Sequence, residues 1–288
     1  MRQIVPKLRE IKTSDITETV AQLCQRANVV LDEEVLAALR QAQQTEESPL
    51  GKEVLGQIIE NARIAERRNL PLCQDCGTAV VFLEIGQEAC IIGDDLYTAV
   101  TEGVRQGYTQ GYLRKSMVSQ PFSARKNTGD NTPPVIHTEI VPGNRIKVIC
   151  LPKGAGAENM NKLAMLRPGD GREGIIDLVL RTVDEAGANP CPPLIIGLGI
   201  GATAEEAMLL AKKVLLRQAG KPNSDPEVAE LEKELLSRIN DLGIGPLGLG
   251  GSTTALAVHA EVKPTHIASL PVAVNLQCHS ARHQEAVL

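Results

Sequence analysis

Residues 193–217 read PLIIGLGIGATAEEAMLLAKKVLLR. The apolar run from Leu194 to Ile200, broken only by glycines, predicts a strand buried on both faces. It ends in a glycine turn, after which Thr203 and Glu206 stand at capping-box spacing and a helix is expected over Ala204–Arg217. A buried strand feeding an amphipathic helix is the repeating unit of an α/β architecture. The same alternation runs from Leu70 onward. AVVFLEI (79–85) and ACIIG (89–93) read as strands and Asp95–Gln110 as a helix. VIHTEIV (135–141) and RIKVICL (145–151) flank Pro142-Gly143-Asn144 and predict a hairpin. Helices are expected near Asn159–Leu166, Glu173–Ala186 and Val228–Ile239, the last after GKPNSDPE (220–227), which reads as an internal linker.

Upstream, Ser14 or Asp15 can cap a helix whose apolar residues Ile16, Val20, Leu23 and Cys24 recur at helical spacing. Glu33–Gln43 fits a second helix, and Ser48 followed by Pro49 opens a third. The expected fold is α/β, a helical N-terminal layer packed on α/β subdomains with parallel or mixed sheets. It is expected to form a single domain, with residues 1–70 as the helical layer and 71–288 as the α/β region.

A chain of 288 residues can bury a full core, and 43% hydrophobic residues with only 2% aromatics make that core aliphatic. Lys and Arg total 30 against 35 Asp and Glu, a net charge of −5, with no basic run to follow a phosphate backbone. No nucleic acid is expected as a partner. MRQIVPKLREIKTSD (1–15) holds no apolar segment of signal-peptide length, and no run approaches the roughly 20 residues of a membrane span. A soluble, cytoplasmic protein is expected, with no membrane partner. The seven cysteines are an odd number and only Cys73 and Cys76 are close, which speaks for reduced thiols or metal ligands rather than a disulfide framework.

Three cysteines stand far apart, each collared by Pro, Gly, Asn or Gln: Cys73 in LPLCQDCGT, Cys191 in ANPCPPL and Cys278 in NLQCHSARH. Packing thiols sit in apolar runs, as Cys24, Cys90 and Cys150 do. Three thiolates with no evident fourth partner suggest a metal cage with one open position. The Cys73–Cys76 CxxC alone also fits half a zinc site or a redox pair. No second CxxC or close His pair completes a zinc site, and Gln-Asp between the thiols does not supply a cationic setting. Read alone, Cys191 is a thiol in a Pro-rich turn. Cys278, followed by His279, Arg282 and His283, is a positive ligand corner or a polar tail.

GLGIGA (197–202) satisfies the dinucleotide fingerprint, which keeps a nucleotide-binding protein as an alternative. The fingerprint also requires a second strand ending in an acidic residue, and none follows. GPLGLGGSTT (245–254) lacks the lysine of a P-loop. Both glycine stretches read as close-packing turns, with an anion-binding nest at Gly250–Thr254. Lys153-Gly154-Ala155-Gly156, before the helix expected at Asn159, would let backbone N–H groups approach an anion. Lys126–Asn131 has turn composition.

Six stretches taken together carry a resemblance: LPLCQDCGTA, RKNTGDNTPPVIHTEIV, LPKGAGAENMNKL, ANPCPPLIIGLGIGAT, GPLGLGGSTTAL and NLQCHSARH. In this order, from Cys73 to Cys278, they resemble the α subunit of the iron–sulfur hydro-lyases of the class I fumarase and L-tartrate dehydratase type. The resemblance implies a [4Fe–4S] cluster held by Cys73, Cys191 and Cys278, with one iron left for substrate. It implies that Gln74 and Asp75 touch the substrate, and that Arg114 in GYLRKS and Gly156 bind it. It also implies that His266 in KPTHIAS hydrogen-bonds Asp75, both serving catalysis. Without it, His266 reads as a capping or core histidine and Arg114 as a solvated charge. The chain departs from the family pattern at Cys76, where Thr is usual, and a packing substitution is the preferred reading. The reaction implied is reversible hydration of fumarate to (S)-malate, with L-tartrate dehydration as the alternative. In the family the proton-abstracting Thr comes from a β domain, and no such domain follows Leu288. A β subunit and a hetero-oligomer are therefore expected.

Overall fold

The computed structural model describes residues 9–288; residues 1–8, part of the stretch in which no signal sequence is expected, lie outside the described residues. In chain order the first elements are β1 (Arg9–Lys12), α1 (Thr13–Val29), α2 (Glu33–Thr45), α3 (Pro49–Arg68), β2 (Thr78–Gly86), β3 (Ala89–Ile92) and α4 (Leu96–Gln110). Then come β4 (Val135–Val141), β5 (Ile146–Lys153), the one-turn α5 (Ala155–Glu158), β6 (Lys162–Leu166) and α6 (Gly171–Ala186). They are followed by β7 (Leu194–Gly201), α7 (Ala204–Lys213), α8 (Pro226–Asn240), β8 (Ala255–Lys263), β9 (Leu270–Gln277) and β10 (Gln284–Val287). The fold is α/β with mixed sheets. The chain divides into two compact units, one of residues 9–30, Ala65–Lys153 and Arg282–Leu288, the other of Leu31–Ile64 and Gly154–Ala281. Helices from the first seventy residues thus serve both units.

In the first unit a four-stranded sheet runs in the order β10-β5-β2-β4, with β1 and β3 paired separately in parallel. Ile16, Val20, Leu23 and Cys24 form the buried face of α1, as their spacing requires. This helix packs tightly on α4, because two glycines of α4 face it. A Cβ on Gly103 would lie 2.7 Å from the Thr17 carbonyl oxygen, and one on Gly107 would lie 2.8 Å from that of Ala21. The hairpin expected from β4 and β5 does not form. The strand β2, buried along most of its length, takes the centre, pairing with β4 in parallel and β5 antiparallel. The 142–145 turn instead wraps over the end of β2, where the Gly86 N–H donates to the Arg145 carbonyl at 2.7 Å. A Cβ on Gly86 would meet the Gly143 carbonyl at 2.5 Å, so glycine lets the turn cross there. The exposed β4 suits an edge.

In the second unit the order is β6-β9-β7-β8, with β7 parallel to β8 and antiparallel to β9. Leu194, Ile196, Leu198 and Ile200 on one face of β7 enter a core shared with Ile176, Val179 and Val183 of α6 and Leu235 and Ile239 of α8. Each such fully buried side chain contributes about 1.5–3 kcal/mol. The other face of β7 is the glycine fingerprint, and α7 lies on it. A Cβ on Gly197 would stand 2.0 Å from the Ala211 carbonyl oxygen, and one on Gly199 2.0 Å from that of Ala207. The glycines are close-packing residues within the strand.

Three local expectations change. Lys162–Leu166 is an edge strand paired with β9, not a helix; Ala164 and Leu166 pack on the core while Leu163 and Met165 face out, a period of two. Thr203 is the N-cap of α7 but makes no side-chain cap bond: its side chain hydrogen-bonds Glu205, and Glu206 pairs with Lys263, Nζ to Oε1 at 2.5 Å. The 220–227 linker is fastened: the buried Glu232 accepts from the Asn223 N–H at 2.9 Å, and Asn223 Nδ2 donates to the Ala260 carbonyl at 2.8 Å. Asp225 and Pro226 then start α8, the Asp225 side chain accepting from the Glu227 N–H. Among the described residues, no helix is long and apolar enough to cross a membrane.

Candidate active site

The loop entering β2 carries Cys73-Gln74-Asp75-Cys76-Gly77. Its start is anchored by the Leu72 N–H donating to the Asn28 carbonyl at 2.8 Å. The Asp75 N–H donates to Cys73 Sγ at 3.3 Å, and the Gly77 N–H donates to Asp75 Oδ1 at 2.9 Å, closing an Asx turn. Gly77 has φ +72°, and a Cβ there would lie 2.8 Å from the backbone of the buried Lys153, so the turn requires glycine.

Three successive carbonyls of this loop are held by buried side chains. Arg282 Nη2 donates to Asp75 O, Tyr108 Oη donates to Cys76 O at 2.7 Å, and Asn131 Nδ2 donates to Gly77 O at 3.1 Å. Asn131 Oδ1 in turn accepts from the Ser116 N–H at 2.7 Å. None of the three was singled out as a site residue from the sequence. The signals available were the helical spacing by which Tyr108 continues Val100 and Val104, the turn composition around Asn131 and the place of Arg282 beside Cys278.

Cys76 is buried in the apolar core, with its Sγ accepting from the Arg114 N–H at 3.3 Å. Burial pushes the Cys76 thiol up from its ordinary range, against the opposing Arg114 N–H and Arg282 charge. That contact fixes the backbone from which the exposed Arg114 side chain projects. The first unit therefore brings Cys73, the exposed Gln74, Asp75 and Arg114 together. Cys24 and Cys150 are core residues with sulfurs 3.5 Å apart, whereas Cys90 is half-buried.

In the second unit, Cys191 precedes β7 and Cys278 follows the antiparallel β9, so both fall at one end of the sheet. Their loops touch. The His279 N–H donates to the Cys191 carbonyl at 3.3 Å, and His279 Nδ1 lies 3.0 Å from the same oxygen, a contact that needs the proton on Nδ1. Cys191 has φ +56°, a left-handed conformation that costs a non-glycine residue about 1–2 kcal/mol, and it is exposed. Gly156 joins this end. It lies inside α5 rather than before a helix at Asn159, and a Cβ on it would be 2.9 Å from the Asn189 carbonyl oxygen. His266 is elsewhere in the unit, exposed in the turn between β8 and β9. The length of β9, roughly 23 Å at strand rise, separates that turn from Cys278.

The nest expected at Gly250–Thr254 exists and is filled from within. Glu46, buried just after α2, accepts from the Ser252 N–H at 2.8 Å through Oε1 and from the Thr253 N–H at 2.8 Å through Oε2. Its Oε1 also accepts from the N–H groups of Glu47 and Ser48, each at 2.9 Å. Burial alone would raise the carboxyl; these donors outweigh it and hold the pKa at about 2. The nest is a structural joint. Next to it, the Leu247 N–H donates to the Pro192 carbonyl at 2.8 Å and so supports the Cys191 loop.

As donors, Cys73, Cys191 and Cys278 suit iron in a sulfide cluster: three soft thiols at loop ends, none in a disulfide, none fully buried. Among the described residues, neither unit alone gathers three His, Cys, Asp or Glu into a metal site. Cys73 belongs to one unit and the other two thiols to the second.

The model of the fumarate hydratase (Fumerase) family matches residues 17–287, and the chain belongs to that family. Among curated relatives, a putative L(+)-tartrate dehydratase subunit alpha of Methanocaldococcus jannaschii is 44% identical, over 93% of this chain and 95% of its own. The L(+)-tartrate dehydratase subunit alpha of Escherichia coli K12 is 30% identical over 93% of this chain and 88% of its own.

Proposed function

We propose that the chain is the α component of an iron–sulfur hydro-lyase acting on a four-carbon 2-hydroxy dicarboxylate, with Cys73, Cys191 and Cys278 as ligands of a [4Fe–4S] cluster. The observation that carries this reading is the contact of His279 with the Cys191 carbonyl, which joins the loops of the second and third thiols at one end of a sheet. When bound, such a cluster supplies a Lewis-acidic iron with an open position for a hydroxyl group. The chain's own residues bind and orient. Arg114 offers a planar fork to a substrate carboxylate, and Gln74 offers an amide beside Cys73. Gly156 leaves room for close approach of the substrate to the backbone near the Cys191 loop. Asp75, with one carboxylate oxygen tied to the Gly77 N–H, is held to orient the proton-transfer group. Cys76, enclosed in the core, packs rather than ligates. The proton-abstracting group belongs to a β subunit, so the active form is a hetero-oligomer working in the cytoplasm.

Fumarate and (S)-malate are the first substrate pair of this reading, and the family match favours them. Dehydration of L-tartrate is the second, favoured by the names of the relatives. His266 is proposed, on the family resemblance, as the histidine that hydrogen-bonds Asp75 in catalysis; it is not a cluster ligand, since it stands a strand's length from Cys278.

Anaerobic reconstitution tests the cluster. A brown chain with about four irons is expected, bleached by Cys191→Ser and retained in Cys76→Ser. A colourless wild-type chain that binds NAD refutes the reading. Assay of fumarate, malate and both tartrate enantiomers with a co-expressed β partner then decides the substrate.

A further inference from the structure

The three carbonyls of Asp75, Cys76 and Gly77 are each held by a different element, but only one holder is charged. Tyr108 from α4 and Asn131 from the loop between α4 and β4 fix the base of the turn at Cys76 and Gly77. Arg282, from the segment before β10, acts nearer the thiol, on the carbonyl of Asp75. Its side chain is only 3% exposed. Nε and Nη1 find no acceptor among the described residues, so the guanidinium spends its burial on this single bond. Burying an arginine for one carbonyl is costly, and a neutral amide could make the same bond. A charged donor makes it roughly twice as strong, and the planar fork fixes its direction.

We propose that Arg282 is a positioning residue whose buried guanidinium locks the Asp75 carbonyl and thereby sets the direction in which Cys73, Gln74 and Asp75 face their ligands. The inference rests on the proposed function for what the loop presents, and on the first unit alone for the clamp itself. It adds to the site a residue outside the ligand and substrate sets, four positions after Cys278 in sequence.

Hydrogen exchange on the iron-free chain tests the clamp without relying on activity. In Arg282→Gln the amides of Asp75 and Gly77, both hydrogen-bonded within the turn, are expected to exchange about tenfold faster than in wild type, with β2 and β5 unchanged. Arg282→Lys, which keeps the charge without the fork, is expected to fall between the two. It carries the comparison if Arg282→Gln does not fold. In parallel anaerobic reconstitution, Arg282→Gln is expected to take up iron several-fold more slowly than wild type. Exchange within about twofold of wild type in the turn overturns the proposal, as does an equal rise throughout β2 and β5, which marks a general loss of stability. A wild-type chain that takes up no iron, with turn exchange still raised in Arg282→Gln, removes the proposed function and leaves the clamp standing.

Discussion

Glu46→Gln removes a charge from a site built for one. The carboxylate is buried and accepts backbone N–H groups from Glu47, Ser48, Ser252 and Thr253. Its folded pKa is about 2, against roughly 4.3 for an unfolded glutamate, a difference of about 2 units. At about 1.4 kcal/mol per unit, the charged form contributes roughly 3 kcal/mol. Glutamine keeps one acceptor but turns an NH2 toward a donor, and a buried N–H left without an acceptor costs about 1–3 kcal/mol more. The total loss near neutral pH is therefore about 4–6 kcal/mol, a large part of the stability of a typical domain.

The sign follows from the direction of the shift. A carboxyl lowered in the folded state stabilises fully above its unfolded pKa, and the contribution fades as pH falls from about 4.3 toward about 2. Urea unfolding of wild type and Glu46→Gln, followed by circular dichroism at several pH values from 7 down to about 2.5, reads the gap directly. It should be constant down to about pH 5 and then shrink by roughly 2 kcal/mol by about pH 2.5. A gap that does not change with pH would falsify the charge argument, leaving only lost packing. The Leu247 N–H on the Pro192 carbonyl links the nest to the Cys191 loop, so iron uptake in the variant should slow as well.

Gly197→Ala places a Cβ 2.0 Å from a backbone oxygen of α7, which cannot move like a side-chain tip, and should cost about 3 kcal/mol in thermal or urea unfolding. A loss below about 0.5 kcal/mol would show that α7 is not seated on the strand. Tyr108→Phe deletes the bond to the Cys76 carbonyl and should cost about 1 kcal/mol, with faster exchange confined to the turn around Cys76. His266→Asn should leave iron per chain at the wild-type level, since the exposed turn it occupies lies at the far end of β9 from Cys278. Iron loss in that variant would place His266 among the groups that hold the metal.

Much of the fold was legible because burial writes itself into periodicity. The central strand β7, the body of helix α8 and the α1 stripe of Ile16, Val20 and Leu23 all follow from spacing, whereas the Asp225-Pro226 start of α8 lay in the stretch read as linker. Pairing was less legible. The sequences of β4 and β5 flank a turn as a hairpin does, and nothing local reveals that β2 enters between them; only the tolerance of Gly86 for a crossing turn hints at it. Lys162–Leu166 was misread because a five-residue run cannot separate period two from period 3.6. Of the candidate site residues, Cys73, Gln74, Asp75 and Arg114 share one unit. Arg282 was read only as part of a positive ligand corner or a polar tail, since its burial depends on where the chain returns after Cys278.

The glycine-rich nest shows where sequence reasoning about anions stops. Ser252 and Thr253 offer backbone N–H groups to a negative charge, and composition alone predicts that much. The occupant is a second question, and here the anion is Glu46, 206 positions from Ser252 in the chain. A nest filled by the protein's own carboxylate has no vacancy for substrate, so substrate recognition must come from other groups. Of those in the first unit, Arg114 is the cation whose backbone is fixed to the thiol loop while its side chain stays exposed. The carboxylate therefore sorts two features that look alike in sequence: the nest is an internal joint closed beside the Cys191 loop, whereas the arginine beside the Cys73 loop keeps its side chain exposed.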